Sequence, residues 1–278
     1  MQFEVVRLKE FFPALRGNYE PTLTVYCPDN PPKIHPGRVR TAVLVCPGGG
    51  YTFTSDREAE PVALQFVAQG FDAFVLRYSV SPERYPESLL EAAAAVSLIR
   101  SRAEELAVNP AQIAILGFSA GGHLAASLGV FWNRPELAEK LGKTPDAIRP
   151  NALILGYPVI TSGPFAHRSS FDELLGPDAA PELLEKMSLE KQVTEQTPPS
   201  FLWHTFEDGS VPVENSLEFA MALRRHKVPF ELHIYPAGPH GLSLCNYETS
   251  SRADQMQPHD AGWMALCAEW LKLIFGIK

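Results

Sequence analysis

The 278-residue chain has little cysteine, no basic excess and no long apolar run. Its four cysteines, Cys27, Cys46, Cys245 and Cys267, stand far apart and form no C-x-x-C pair, which excludes a zinc ribbon or a thioredoxin-type motif. They read as reduced thiols of a cytoplasmic protein. Lysine and arginine number 24 against 32 aspartates and glutamates, for a net charge of -8. A chain of that sign lacks the basic face that replaces counterions on nucleic acid or docks on an anionic membrane surface. No segment reaches the roughly 18 uncharged apolar residues of a membrane-spanning helix, and the most apolar stretch, 89–99, contains Glu91. The first ten residues carry Glu4, Arg7, Lys9 and Glu10, too many charges for the apolar centre of a signal peptide. At 45% hydrophobic residues the composition is too apolar for an intrinsically disordered chain.

What is plentiful is proline, 25 residues where a usual share of about 5% would give far fewer. With 19 glycines they imply many loops, one of them over 29–37 with Pro31, Pro32 and Pro36. Between the loops, valine-rich apolar runs alternate with helical patterns. Strands are expected over 22–27, 41–46, 71–78, 112–117, 151–157, 200–206 and 229–235. Helices are expected over 58–69 (with Gly70 past its end), 88–106, 122–132, 213–226 and 263–275. Short apolar runs ending at glycine or proline fit strands buried on both faces, and the alternation predicts an α/β fold with a mostly parallel sheet. The less regular segment 160–197 reads as a small insertion, expected over the C-terminal ends of the strands.

Residues Gly117-Phe118-Ser119-Ala120-Gly121 spell G-x-S-x-G between a strand and a helix. A nucleophilic serine must project from a tight strand-to-helix turn, where larger residues in place of the glycines would clash. The spelling is weak by itself, with about 0.08 chance matches expected for this composition, so its placement carries the reading. A phosphate-binding alternative fails for want of the P-loop lysine. Upstream, Cys46-Pro47-Gly48-Gly49-Gly50-Tyr51 ends an earlier strand. Three glycines together make sense where backbone N–H groups approach a substrate, so Gly49 and Gly50, with Ala120 after the serine, are the expected oxyanion donors.

The serine needs a base, and the base an acid to fix its tautomer. Of eight histidines, His240 in Pro239-His240-Gly241 follows a strand and is the expected base. His123 is expected to pack or cap, and His204 to be structural or to line the pocket. His35, His167, His226, His233 and His259 read as surface or packing residues. Asp208, in the turn Asp208-Gly209 after a strand, is the expected acid, with Glu207 as the alternative. The order Ser119, Asp208, His240 is that of α/β-hydrolases, unlike chymotrypsin or subtilisin.

The chain resembles the α/β-hydrolase esterases of the hormone-sensitive-lipase and acetyl-xylan-esterase type, and bacterial esterases with a Pro-Gly-Gly-Gly-Tyr loop. The matching segments are 46–51, 57–62 (REAEPV), 117–123, 208–216 (DGSVPVENS) and 239–242 (PHGL), within a likeness spanning 41–275. It departs from the pattern in lacking the histidine before the glycines and a long N-terminal cap, which argues against long-chain specificity. The resemblance implies an α/β-hydrolase fold with a central sheet of about eight strands. It also implies a serine carboxylesterase acting on short acyl esters, often acetyl groups on sugars, with no metal or organic cofactor. The expected partner is a small ester, such as an acetylated sugar; a homo-oligomer stays open. Tyr51, Arg57, Tyr157 and Trp203 are expected to line the substrate pocket, since aromatic faces suit sugar rings, with a place in the core as the alternative for each aromatic. The competing functions are a peptidase or arylformamidase-like amidase using the same triad, and a non-catalytic binding protein on a hydrolase scaffold. Because residues near 48, 119, 208 and 240 must converge, 1–278 is expected to be one domain, with 160–197 as its lid.

Overall fold

The computed structural model describes residues 1–31, 33 and 35–277. Pro32 and Ile34, in the loop expected over 29–37, and Lys278 lie outside the described residues. Among the described residues eight strands form one sheet: β1 (Gln2–Arg7), β2 (Thr22–Cys27), β3 (Arg40–Cys46), β4 (Asp72–Arg77), β5 (Val108–Phe118), β6 (Ala152–Gly156), β7 (Ser200–Thr205) and β8 (Phe230–Tyr235). Their spatial order is β1-β2-β4-β3-β5-β6-β7-β8. β1 and β2 run antiparallel to their neighbours, and every pair from β4 to β8 is parallel. All residues of β3, β6 and β7 are buried, as the continuous apolar runs required.

Side chains alternate between two cores. Val43 and Val45 of β3 pack with the helices Glu60–Ala68 and Trp263–Phe275 on one face of the sheet. Ala42, Leu44 and Cys46 pack with the helices Glu87–Ser101, Ser119–Phe131 and Glu214–Arg225 on the other. The order reverses at β3, which lies between β4 and β5. Connections leave in opposite directions there, so a crevice opens at the strand C-terminal ends. Cys46 and Gly117 are register partners, which brings the glycine loop after β3 beside the serine turn after β5.

Three features depart from the sequence expectation. β1 was not expected; Glu4 and Arg7 interrupt its apolar residues, and only pairing with β2 defines it. The helix expected over 88–106 stops at Ser101, the chain turns at Arg102 (ψ 14°), and a short helix Ala103–Leu106 ends at Ala107 with φ +56°. β5 begins at Val108, before Pro110, because a shift in register between Arg40 and Ala42 leaves that proline out of the regular ladder. The segment between β6 and β7 carries the helices Arg168–Leu175 and Pro181–Lys186 and is tied down by Tyr85 N–H to Leu174 O (2.9 Å).

Candidate active site

β5 passes directly into the helix Ser119–Phe131, and Ser119 itself adopts φ +52°. That left-handed backbone aims the hydroxyl away from the helix it starts, and non-glycine residues hold it only under constraint. The glycines make the turn possible by close approach: a Cβ on Gly117 would sit 2.0 Å from Gly121 O. Ala120 follows at the N-terminus of the helix, where the first N–H groups have no intrahelical partner and the helix dipole favours negative charge. Across the crevice Gly49 has φ +132°, and a Cβ there would meet Phe53 O at 2.1 Å. The three expected oxyanion donors thus come from two adjacent strand ends.

Asp208 and His240 come from the next strand ends, after β7 and β8. His240 Nε2 lies 2.8 Å from Ser119 Oγ, and Nδ1 lies 2.6 Å from Asp208 Oδ2. The Asp208 side chain has no exposure. Its Oδ1 accepts the N–H groups of Ser210 and Val211, each at 2.9 Å. Burial alone would raise its pKa. The imidazoles of His204 and His240 and the Val211 N–H outweigh burial and hold the carboxyl well below the usual range, so it stays ionised. Glu207, the alternative acid, instead accepts Gly238 N–H at 3.3 Å.

A pocket of about 400 Å³ opens over Ser119 and His240. Its walls include Gly49, Gly50, Arg57 and, unforeseen, Thr52, Ser55, His167, Ser169 and Ser210. Of the expected pocket residues only Arg57 lines it, and its guanidinium also donates to Gly241 O (2.8 Å) and Thr249 O. Tyr51, Tyr157 and Trp203 belong elsewhere, each 2% exposed or less. The Tyr51 hydroxyl bonds His123 Nδ1 at 2.9 Å. Trp203 stacks on Trp263 at 5.1 Å between ring centroids, and Tyr157 packs edge-on to His240 at 5.0 Å. An aromatic at a strand end reads alike in sequence whether it points to solvent or to the core; Tyr157 and Trp203 pack together behind His240, and Tyr51 packs on the other face of the sheet with Tyr78 and His123.

His167 is one of the five histidines expected to be surface or packing residues. Segment 160–197 carries it into the pocket, with Nδ1 2.8 Å from Ser170 Oγ. Burial, then the nearby His240, lower its pKa, so the pocket face of this ring is neutral near pH 7. Its only signal in the sequence was membership of the segment expected over the strand ends. His123 packs, as expected: Nε2 meets Met187 O at 3.0 Å, and burial lowers its pKa to about 4. His204 is buried in β7, with Nε2 2.9 Å from Val211 O and 3.2 Å from Asp208 Oδ2. The four cysteines are buried and unpaired. Among the described residues no cluster of His, Cys, Asp and Glu is arranged to hold a metal ion, and no helix is long and apolar enough to cross a membrane.

The profile of the BD-FAE family matches residues 24–223. Endo-1,4-beta-xylanase B of Butyrivibrio fibrisolvens is 42% identical over 218 residues, 75% of this chain and 33% of that protein. An acetylxylan esterase of Xylanibacter ruminicola is 28% identical over 250 residues, 88% of this chain and 48% of that protein. The chain therefore spans about a third to a half of the length of these curated relatives. Among solved structures, the acetyl ester-xyloside bifunctional hydrolase of Caldicellulosiruptor lactoaceticus superposes with a TM-score of 0.84 at 39% identity, covering 99% of this chain and 97% of that one. The carboxylesterase Cest-2923 of Lactobacillus plantarum superposes with a TM-score of 0.85 at 29% identity, covering 99% and 98%.

Proposed function

The chain belongs to the BD-FAE family, an α/β-hydrolase esterase family, and from that premise we propose that it is a serine carboxylesterase removing short acyl groups, acetyl above all, from carbohydrate esters. The observation that carries the proposal is the Ser119–His240–Asp208 relay, with bonds of 2.8 and 2.6 Å, at the floor of an open pocket.

In this reading His240 Nε2 takes the proton as Ser119 Oγ attacks the ester carbonyl carbon. The developing oxyanion meets the N–H groups of Ala120, Gly49 and Gly50, and losing one such donor costs about 2.7–4 kcal/mol. Asp208, held ionised, keeps the His240 Nδ1–H tautomer and stabilises the imidazolium. Collapse expels the alcohol, which takes the proton from His240. Water then repeats the sequence on the acyl-enzyme, releasing the acid and free Ser119.

The pocket walls support a polyol as the alcohol. Thr52, Ser55, Ser169, Ser210 and His167 offer hydroxyls and a ring nitrogen, whereas a lipid-binding site would be walled with aliphatic side chains. Segment 160–197 supplies His167 and Ser169 and is proposed as the lid over the alcohol side. The names of the acetylxylan esterase and acetyl ester-xyloside hydrolase relatives point the same way.

The test is hydrolysis of p-nitrophenyl esters of rising chain length beside acetylated xylo-oligosaccharides. Acetyl should be preferred among the synthetic esters, and Ser119→Ala should abolish turnover while leaving the melting curve intact. Full activity in that variant would falsify the assignment. A preference for long acyl chains, or no release of acetate from the oligosaccharides, would remove the carbohydrate part alone.

A further inference from the structure

Glu58 is an acid at the edge of the pocket that the acyl-transfer steps leave unused. It is 4% exposed, and a buried carboxylate is expensive unless donors surround it. Its donors are specific. Oε2 accepts the N–H of Gly48 at 2.8 Å, and Oε1 accepts the hydroxyl of Tyr157 at 2.6 Å. An ionised carboxylate can only accept, so Tyr157 must donate to it, which leaves the phenol oxygen free to accept in turn. It accepts the N–H of Ser243 at 2.9 Å. Ser243 is itself fixed: Oγ donates to Arg57 O at 2.6 Å, and its carbonyl accepts Trp263 Nε1–H at 2.9 Å.

The two ends of this chain of bonds are informative. Gly48 immediately precedes the oxyanion donors Gly49 and Gly50. Ser243 lies in the loop that carries His240, and the Tyr157 ring lies edge-on to the His240 ring at 5.0 Å. Gly48 also seats directly on its neighbours, since a Cβ there would meet Glu58 Oε2 at 2.7 Å and Phe118 O at 2.8 Å. Tyr157 has φ +36°, a strained backbone held by Tyr157 N–H to Trp203 O at 2.8 Å.

We propose that Glu58 and Tyr157 are positioning residues, a buried strap that sets the separation between the oxyanion loop and the histidine loop. The inference rests on reading Ser119, His240 and Asp208 as the esterase site. Neither residue moves a proton in the reaction. The strap fixes where the oxyanion donors stand when His240 is in register with Ser119. Misplacing such groups by 1 Å costs about 100-fold, and the loss falls on the chemical step. Breaking the strap at either member frees the same pair of loops, so the two lesions are not independent.

The experiment is steady-state hydrolysis of p-nitrophenyl acetate by Glu58→Gln, Tyr157→Phe, the double variant and Ser119→Ala, with circular dichroism to check the fold. Each single variant should lose about 30- to 100-fold in kcat with KM changed less than about twofold. The double variant should fall no more than about threefold below the weaker single one. The strap is overturned if both singles keep kcat within about threefold, if the losses multiply in the double variant, or if they appear in KM. Should Glu58→Gln fail to fold, Tyr157→Phe, which removes one oxygen atom, carries the test through its own kcat and KM. Activity in Ser119→Ala would bring down the esterase reading and the strap with it. A dead Ser119→Ala beside unaffected strap variants would bring down the strap alone.

Discussion

His240 and the pair His123 and His204 are the same chemical group in two settings. His240 stands on a loop, its side chain 21% exposed, between the hydroxyl of Ser119 and the carboxylate of Asp208. His123 and His204 are buried, and each sets one ring nitrogen against a backbone carbonyl, Met187 O at 3.0 Å and Val211 O at 2.9 Å. A carbonyl only accepts, so that nitrogen must carry the hydrogen. In the neutral ring the other nitrogen then accepts, from the Tyr51 hydroxyl for His123 and from Ser216 Oγ for His204. A ring locked in this way cannot cycle a proton without breaking a structural bond. A ring between a hydroxyl and a carboxylate, with water at its edge, can. Their different tasks follow from the partners each ring meets and from its exposure.

Removing one ring of each kind separates the two roles. His240→Ala should lower kcat by at least about 10⁴-fold with the fold intact, because the proposed base is gone. His204→Ala should lower it only about 10- to 100-fold, the worth of a hydrogen bond to a charged group. It should also destabilise the fold by about 2–4 kcal/mol through a cavity and orphaned partners at Val211 and Ser216. Rate measurements and urea denaturation on both variants check this; equal rate losses would erase the distinction.

A pH titration of stability sharpens the same contrast. Folded His123 titrates at about 4 because burial disfavours its charged form, against 6.5 when unperturbed. Above 6.5 both states are neutral. As pH falls from 6.5 toward 4 the unfolded chain binds a proton that the folded chain refuses, so stability declines across that window. Burial raises Glu91 and Asp72 to about 7, and they act in the opposite sense, weakening the fold as pH rises toward 7. The difference between the parent and His123→Phe isolates the histidine. The variant should lose up to about 3 kcal/mol of acid dependence between pH 6.5 and 4, read as a flatter Tm profile. The smallest effect is expected from Tyr51→Phe, which leaves His123 Nδ1 unsatisfied. It should cost about 1–2 kcal/mol in denaturant unfolding and leave KM within about twofold, since that hydroxyl faces the histidine and not the pocket.

The parts of the site that were legible share one property: their meaning is local. Gly117 to Gly121 must read as they do because the turn brings the Gly117 Cα to within a side chain's reach of Gly121 O. Asp208-Gly209 and Pro239-His240 sit in turns whose residues announce loops after strands. Most of the strands were legible for a similar reason, since burial on both faces writes a continuous apolar run. The unreadable parts depend on what the chain meets far away. Glu58 looked like one charge in an ordinary helix start, and only the approach of Tyr157, 99 residues on, gives its carboxylate a task. Tyr51 and Trp203 were expected in the pocket because aromatic faces suit sugar rings, yet the same rings suit the core equally well.

Local sequence, then, carries the alternation of buried strands and helices and the residue types of the proposed nucleophile, acid and base. Both are written in periodicity and turn chemistry over a few consecutive residues. Tertiary contacts set which histidine faces solvent and which are locked, bring His167 of segment 160–197 to the pocket, and let a buried acid tie two loops together. Those outcomes depend on burial and on partners brought together by the reversal of strand order at β3, which no local pattern encodes.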